Sequence, residues 1–453
     1  MQLPPRCHTL PDSLRKAASR ALRSLGVTRF AALAALTLLV AITFGFTLIP
    51  TAALAQDDIP TARPATPALQ PDAPTAAPAA EADPGAGSTI QVTGAAKVDI
   101  QVQSISGTEG STATTTLMTD LSRSQLINPT TTQAKYSATA QLGSGGLVAR
   151  LTDTANGRVL VNKTYSGAWR DAVHQFADDI TFATTGIPGF ASSKIAFVSN
   201  STGSKELYIM DIDGHNVRQL TSDRTISSSP AWSRDNTMLA YTSYKSGYPD
   251  VYIIKLATGQ RTRVAYFPGI NSGAAFSPDG TRLALTLSKD GNPELYIMPI
   301  TGGGNNAAPV RLTRTRGAET SPSWSPTGDR IVFCSDDRGS PQLFITSSTP
   351  GGNTDRLSLN STFTTEPDWS PDGRKITYTL RAGGLFQIGV YDMAVRNSVQ
   401  CTTTGGQDSN WTRDSRHVVY TNNGQIYLLD TVTRQSTLIR GDLKGCGEVA
   451  VSK

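Results

Sequence analysis

Six times between Lys194 and Lys453 the chain repeats one pattern of apolar and polar positions. Its first mark is a stretch of small residues ending in an aromatic one: Pro230-Ala231-Trp232-Ser233, Ala274-Ala275-Phe276-Ser277, Pro322-Ser323-Trp324-Ser325, Pro367-Asp368-Trp369-Ser370 and Ser409-Asn410-Trp411-Thr412, then Val449-Ala450-Val451-Ser452. Successive marks lie 44, 48, 45, 42 and 40 residues apart. Each of the first five runs into a turn, most plainly Ser277-Pro278-Asp279-Gly280 and Ser370-Pro371-Asp372-Gly373. There proline presets φ, aspartate bonds its own backbone and glycine accepts positive φ, so a hairpin must follow. The next strand is apolar, at 195–198, 239–242, 283–287, 331–335, 376–380 and 418–421. A third opens on an acid or amide before an aliphatic and an aromatic residue, as in Glu206-Leu207-Tyr208, Asp250-Val251-Tyr252, Glu294-Leu295-Tyr296, Gln342-Leu343-Phe344 and Gln425-Ile426-Tyr427. The fifth repeat departs from this with Gln387-Ile388-Gly389. Polar outer strands such as 217–221 and 310–313 complete each unit as edges should.

Four strands in 40 to 48 residues cannot bury both faces alone and must stack on their neighbours. The fold class predicted is mainly β, with a C-terminal six-bladed β-propeller over 189–453 preceded by a small α/β domain over 89–188. The first repeat begins at its second strand, and the chain ends in a lone first strand at 447–452, which closes the ring. In the α/β domain Val98, Ile100 and Val102 alternate as a half-buried strand, and Leu117, Leu121 and Leu126 follow at helical spacing. Strands at 135–142 and 146–152 precede an Asn156-Gly157 turn, which pairs a strand at 158–165 back on its neighbour. Residues 169–182 read as a helix with Val173, Phe176 and Ile180 on one face.

Charge changes the picture at the N-terminus. Arg6, Arg15, Lys16, Arg20, Arg23 and Arg29 against Asp12 give residues 1–55 the whole net charge of +5, so the remainder is neutral and offers no argument for a nucleic-acid partner. A basic stretch, an uncharged run at 30–49 and Ala53-Leu54-Ala55 before Gln56 have the order of a signal peptide cleaved between Ala55 and Gln56. An uncleaved anchor is the alternative, because the run is long enough to span a bilayer. Residues 56–88 hold seven prolines and ten alanines with almost no aliphatic bulk, and read as a flexible tether. Beyond Cys7 only Cys334, Cys401 and Cys446 remain, an odd number that leaves a thiol unpaired and supports no disulfide framework.

Little suggests catalysis. His174, His215 and His417 fall in a helix, a turn and a strand, with no metal-ligand spacing between any two. No G-x-S-x-G elbow is present, and glycines at 143–146 and 302–304 lack the Gly-Lys-Ser/Thr of a phosphate loop. No catalytic residue, cofactor or metal is expected. Three positions before each mark stand Ser229, Gly273, Ser321, Glu366, Asp408 and Glu448. Their place in the first strand puts them near the mouth of the central channel, either as a solvated rim or as a partly charged mouth for a cation or a partner's basic side chain.

The leader, the small α/β domain and six repeats carrying Phe276-Ser277-Pro278-Asp279-Gly280 and Leu295-Tyr296-Ile297-Met298 resemble the TolB family of the Tol-Pal envelope system. In the N-terminal domain the likeness rests on Asp120-Leu121-Ser122-Arg123-Ser124, Leu151-Thr152-Asp153 and the helix with Trp169. The resemblance implies a non-enzymatic periplasmic adaptor, a monomer, that binds a peptidoglycan-associated lipoprotein (Pal-like) across the channel mouth and a TolA-like inner-membrane protein through its N-terminal region. Such an adaptor maintains outer-membrane integrity and constriction during cell division. Carried over by the turns, the lipoprotein-contacting region includes Ile270, Asn271, Gly273, Thr320, Ser321, Thr365 and Glu366, to which the rim position adds Asp408 and Glu448. This chain has Ile270-Asn271-Ser272-Gly273 where the family commonly has His-Asn-Gly-Ala. The alternative is a propeller enzyme or carbohydrate-binding lectin with its site in the channel.

Overall fold

The structure, a computed structural model, describes residues 96–300 and 308–453. The leader with its cleavage position, the tether and the glycines at 302–304 lie outside the described residues.

A five-stranded sheet of order β2-β1-β3-β4-β5 forms the first layer: β1 (Val98–Val102), β2 (Ile127–Thr130), β3 (Tyr136–Gly143), β4 (Gly146–Asp153) and β5 (Val159–Tyr165). Helices α1 (Gly110–Arg123) and α2 (Trp169–Thr185) pack on it, burying Leu117, Leu121, Phe176 and Ile180 against Ile100, Leu147 and Leu151. Gly110 opens α1 because a Cβ there would meet the Ile105 carbonyl oxygen at 2.1 Å. Leu126, read from its spacing as helical, falls beyond the end of α1 and packs half-buried on the core. The strand β2 was hidden by Pro129, which a sheet tolerates only at an edge, the place β2 holds. The helix α2 runs a turn further than its apolar face suggests and stops at Gly186, whose N–H at φ 73 bonds the Phe182 carbonyl.

Six antiparallel four-stranded sheets follow. The first contiguous one is β9 (Ser227–Trp232), β10 (Met238–Ser243), β11 (Asp250–Lys255) and β12 (Arg261–Ala265). The next four run from β13 (Asn271–Phe276) to β16 (Val310–Arg311), β17 (Glu319–Trp324) to β20 (Thr354–Arg356), β21 (Thr364–Trp369) to β24 (Asn397–Gln400) and β25 (Gln407–Trp411) to β28 (Gln435–Arg440). The sixth joins the two ends of this region: β29 (Gly447–Val451) pairs with β6 (Lys194–Ser199), followed by β7 (Glu206–Asp211) and β8 (Arg218–Gln219). Strand β9 touches β13, β13 touches β17, and so on through β21, β25 and β29 back to β9, so the first strands form a closed inner ring. Second and third strands such as β6 and β7 are almost wholly buried, whereas the outermost, such as β8 and β20, are exposed.

The repeated residues explain this stacking. In the turns Ser277 and Ser370 accept a hydrogen bond from the N–H of Arg282 and Lys375 and donate to Asp279 and Asp372, fixing the hairpin. Tryptophan indoles then stitch neighbouring blades: Trp232 donates to the Ala450 carbonyl, Trp324 to Ala275 and Trp411 to Asp368, each at 3.0–3.1 Å. Basic residues of the preceding blade cover three of the tryptophan rings, Arg282 over Trp324, Arg330 over Trp369 and Lys375 over Trp411. The departure at Gly389 has a steric cause, since a Cβ there would meet the Tyr378 ring at 2.6 Å. Cys334, Cys401 and Cys446 are all buried free thiols.

Candidate functional site

Each strand of the inner ring is broken near its start by a β-bulge, where the register with its neighbour shifts. The residue at the break adopts a left-handed backbone in all six blades: Ser229 (φ 52), Gly273 (φ 60), Ser321 (φ 52), Glu366 (φ 53), Asp408 (φ 56) and Glu448 (φ 52). Five of the six carry side chains, which costs about 1–2 kcal/mol each. Backbone hydrogen bonds offset part of that cost. The Glu366 carboxylate accepts from the N–H of Asp408 (3.0 Å), the Asp408 carboxylate from the N–H of Glu448 (3.0 Å), and the Glu448 carboxylate from the N–H of Ser229 (2.7 Å).

This relay runs round half the channel and ends at Ser229, whose side chain is too short to continue it. The next N–H, of Gly273, is taken by Thr242 Oγ1. The three acids, expected as a solvated rim or as a partly charged mouth, are half-buried and committed to a neighbouring blade's backbone. Thr379 also holds Glu366, and Lys205 reaches Glu448 at 3.2 Å.

Burial and the Asp408 carboxylate beside it push Glu366 up to about 8 from an ordinary 4.5. Between those values the folded chain keeps a proton that the unfolded chain has lost, so this group's contribution to stability falls as pH rises from about 4.5 through 8. Glu366→Gln keeps the acceptor for Asp408 and removes the titration. The variant is expected to melt about 2–4 °C above the parent at pH 9, the equivalent of about 1 kcal/mol, with a smaller gap at pH 5.5. Thermal melts at both values check this, and a gap that does not change with pH contradicts it. A second buried carboxyl, Glu319 at the start of β17, lies against Glu294 and is pushed up to about 7, mainly by burial.

The remaining predicted site residues gather on one rim, though not all face outward. Ile270 is 41% exposed, and Thr320, Ser321 and Thr365 are half-buried. Asn271 is fully buried, and its amide group is spent on Phe267, Gly269 and Pro249 inside the loop. Its role is to shape the loop, and a direct contact with a partner is closed to it.

The sequence reading missed an exposed apolar group on this rim. Ile226, Tyr244 and Tyr248 stand on loops adjoining Ile270 and are 44%, 39% and 72% exposed. Hydrogen bonds from the N–H of Tyr244 to Ile226 and of Asn271 to Pro249 hold these loops together. An aromatic residue in the polar turn Ser246-Gly247-Tyr248-Pro249 was the available signal. The histidines lie elsewhere: His417 is buried against Asp414, while His174 and His215 approach one another at Asp213.

Three comparisons bear on this arrangement. TolB from Acinetobacter baumannii superposes with a TM-score of 0.70 at 26% identity, covering 79% of this chain and 97% of that one. The Tol-Pal system protein TolB of Geobacter sulfurreducens is 46% identical over 87 residues, which is 18% of this chain and 20% of that protein. The protein TolB homolog of Chlorobium chlorochromatii is 40% identical over 108 residues, 22% of this chain and 24% of the relative. These matches span between a fifth and a quarter of each curated relative's length. Residues 183–440, more than half of the chain and nearly all of the six-sheet ring, match the family profile described as the TolB beta propeller domain. The chain therefore belongs to the TolB beta propeller domain family.

Proposed function

We propose that this chain is a non-enzymatic periplasmic adaptor of a Tol-Pal system. It binds a peptidoglycan-associated lipoprotein through the rim at the start of the inner strands, and thereby supports outer-membrane integrity and constriction during division. A TolA-like inner-membrane protein is the second partner, engaged through the N-terminal region. The observation that carries the reading is the exposed apolar group Ile226, Tyr244, Tyr248 and Ile270 beside the six bulges, in a chain of the TolB family. Exposed tyrosines with a polar surround are the composition of a protein-docking surface. A channel enzyme or lectin would want free carboxylates converging on a ligand, whereas the rim acids Glu366, Asp408 and Glu448 are engaged with backbone N–H groups.

Affinity capture from envelope extract with the purified chain as bait tests this. Recovery of a peptidoglycan-linked lipoprotein, reduced when Tyr248 is replaced by Asp, is the expected result. Its absence from the captured material would sink the proposal.

A further inference from the structure

Each inner strand is followed, at its end away from the rim, by a serine or threonine and then one further residue. That residue is Pro278, Pro326 and Pro371 in three consecutive blades and Arg413, Lys453 and Arg234 in the other three. Strands β25, β29 and β9 adjoin in the ring, so these three cations stand on neighbouring blades. Proline is what such a turn favours at that place, so the backbone does not ask for the basic residues. Arg374, just past the turn after β21, joins them. The four line a cavity of about 600 Å³ on the face opposite the rim, with Asp372 and Asp414 in its wall.

Three of these four cations have no carboxylate of their own. Among the described residues Arg234 and Arg374 make no ion pair, and Arg413 stands 4.0 Å from Asp178, whose oxygens are taken by Ala191 and Ser192. Lys453 is paired, with Asp368 at 2.8 Å. The acids of the wall serve their own turns. Asp414 accepts from Thr412 Oγ1 and from the N–H groups of Arg416 and His417, with His417 Nδ1 2.6 Å away. Asp372 accepts from Ser370 Oγ and the N–H of Arg374. Three guanidinium groups therefore face two engaged carboxylates, and the balance in the cavity is positive.

We propose that this cavity binds a small oxyanion, one carrying carboxylate or phosphate groups. A guanidinium offers paired N–H donors that match either group in two parallel bonds, which a lone ammonium cannot do. Arg413 and Arg234 come from the blades on either side of β29, and Arg374 from the blade beyond β25, so an anion with several charged groups is held from several sides. A cavity of this volume takes such a molecule whole. Arg234 and Arg374 are exposed and Arg413 is half-buried, so the ligand enters from solvent. The site is separate from the rim proposed for a lipoprotein, because it lies at the other end of the inner strands.

The test uses the full chain, titrated by calorimetry in about 150 mM salt with citrate and, separately, with inorganic phosphate. Saturable binding of one anion per chain is expected for at least one probe, and the tighter probe names the group recognised. Arg234→Gln with Arg413→Gln is expected to weaken that binding at least about tenfold. Arg316→Gln with Arg338→Gln removes the same charge from exposed loops on the rim side, and is expected to leave binding within about twofold of the parent. No saturable binding of either anion overturns the site, as does undiminished binding in the first double variant. An equal loss in both double variants also overturns it, since attraction by net charge alone then suffices. If the first double variant does not fold, Arg374→Gln, at an exposed position, decides in its place.

Discussion

A chain ended at Gly445 is expected to lose at least about 5 kcal/mol of stability and to melt more than about 10 °C below the intact protein. The deleted residues include Cys446, Val449, Ala450 and Val451, all buried, and two fully buried valines alone contribute about 3–6 kcal/mol. The loss reaches both sides of the break. Ala450 accepts from Trp232 in one neighbouring blade, and Val451 donates to Asn410 in the other. Lys453 pairs with Asp368 at 2.8 Å, Lys194 donates to Ser452, and Glu448 holds the bulge at Ser229. A loss of this size approaches the whole net stability of an ordinary domain, so the truncated chain is expected to expose its inner strands and associate. Thermal and urea unfolding of the two chains decide the matter, and an unchanged midpoint means that β29 does not close the ring.

The repeat made the fold class legible because every blade must solve the same packing problem with the same residues. Trp232, Phe276, Trp324, Trp369 and Trp411 recur at blade spacing since each fills the same gap between sheets. The acids and amides opening the third strands were visible too, but their purpose was not. Glu206 and Gln387 turn out to accept from Thr221 and Thr402, pinning the outer strand back onto the sheet. Local exceptions were harder to read. The edge strand that holds Pro129 was not read at all, and Leu126 matched a helical spacing past the point where α1 stops.

The candidate site was legible by position and not by partner. Alignment to the turns placed Glu366, Asp408 and Glu448 at one structural level, yet each bonds a residue of the next blade, 42 and 40 positions on for the first two and 219 positions back for Glu448, which no local pattern encodes. The left-handed backbone of Glu366 and Glu448 was equally hidden, since glutamate is not a residue that normally signals positive φ. Likewise His174 and His215 meet only because a helix of one domain lies against a turn of the other. Tyr244 and Tyr248 were passed over, although an aromatic residue within a polar turn was a signal of an exposed ring.

The proposed docking rim carries the largest expected functional effect. Interfaces concentrate their binding energy in a few central side chains, each worth about 2 kcal/mol or more, and Tyr248 and Ile270 are the exposed apolar residues proposed for that role. Replacing both with Asp places two charges where apolar surface must be desolvated and leaves the fold intact, because neither side chain is in the core. Phe182, 60% exposed on α2 and away from the rim, provides the matched control. The most direct measurement is the dissociation constant between the purified chain and the soluble domain of a peptidoglycan-associated lipoprotein from the same envelope. Specific binding by the parent and by Phe182→Asp, weakened at least about a hundredfold by Tyr248→Asp with Ile270→Asp, is the predicted result. Equal affinity in all three chains, or no binding by the parent, would contradict the account.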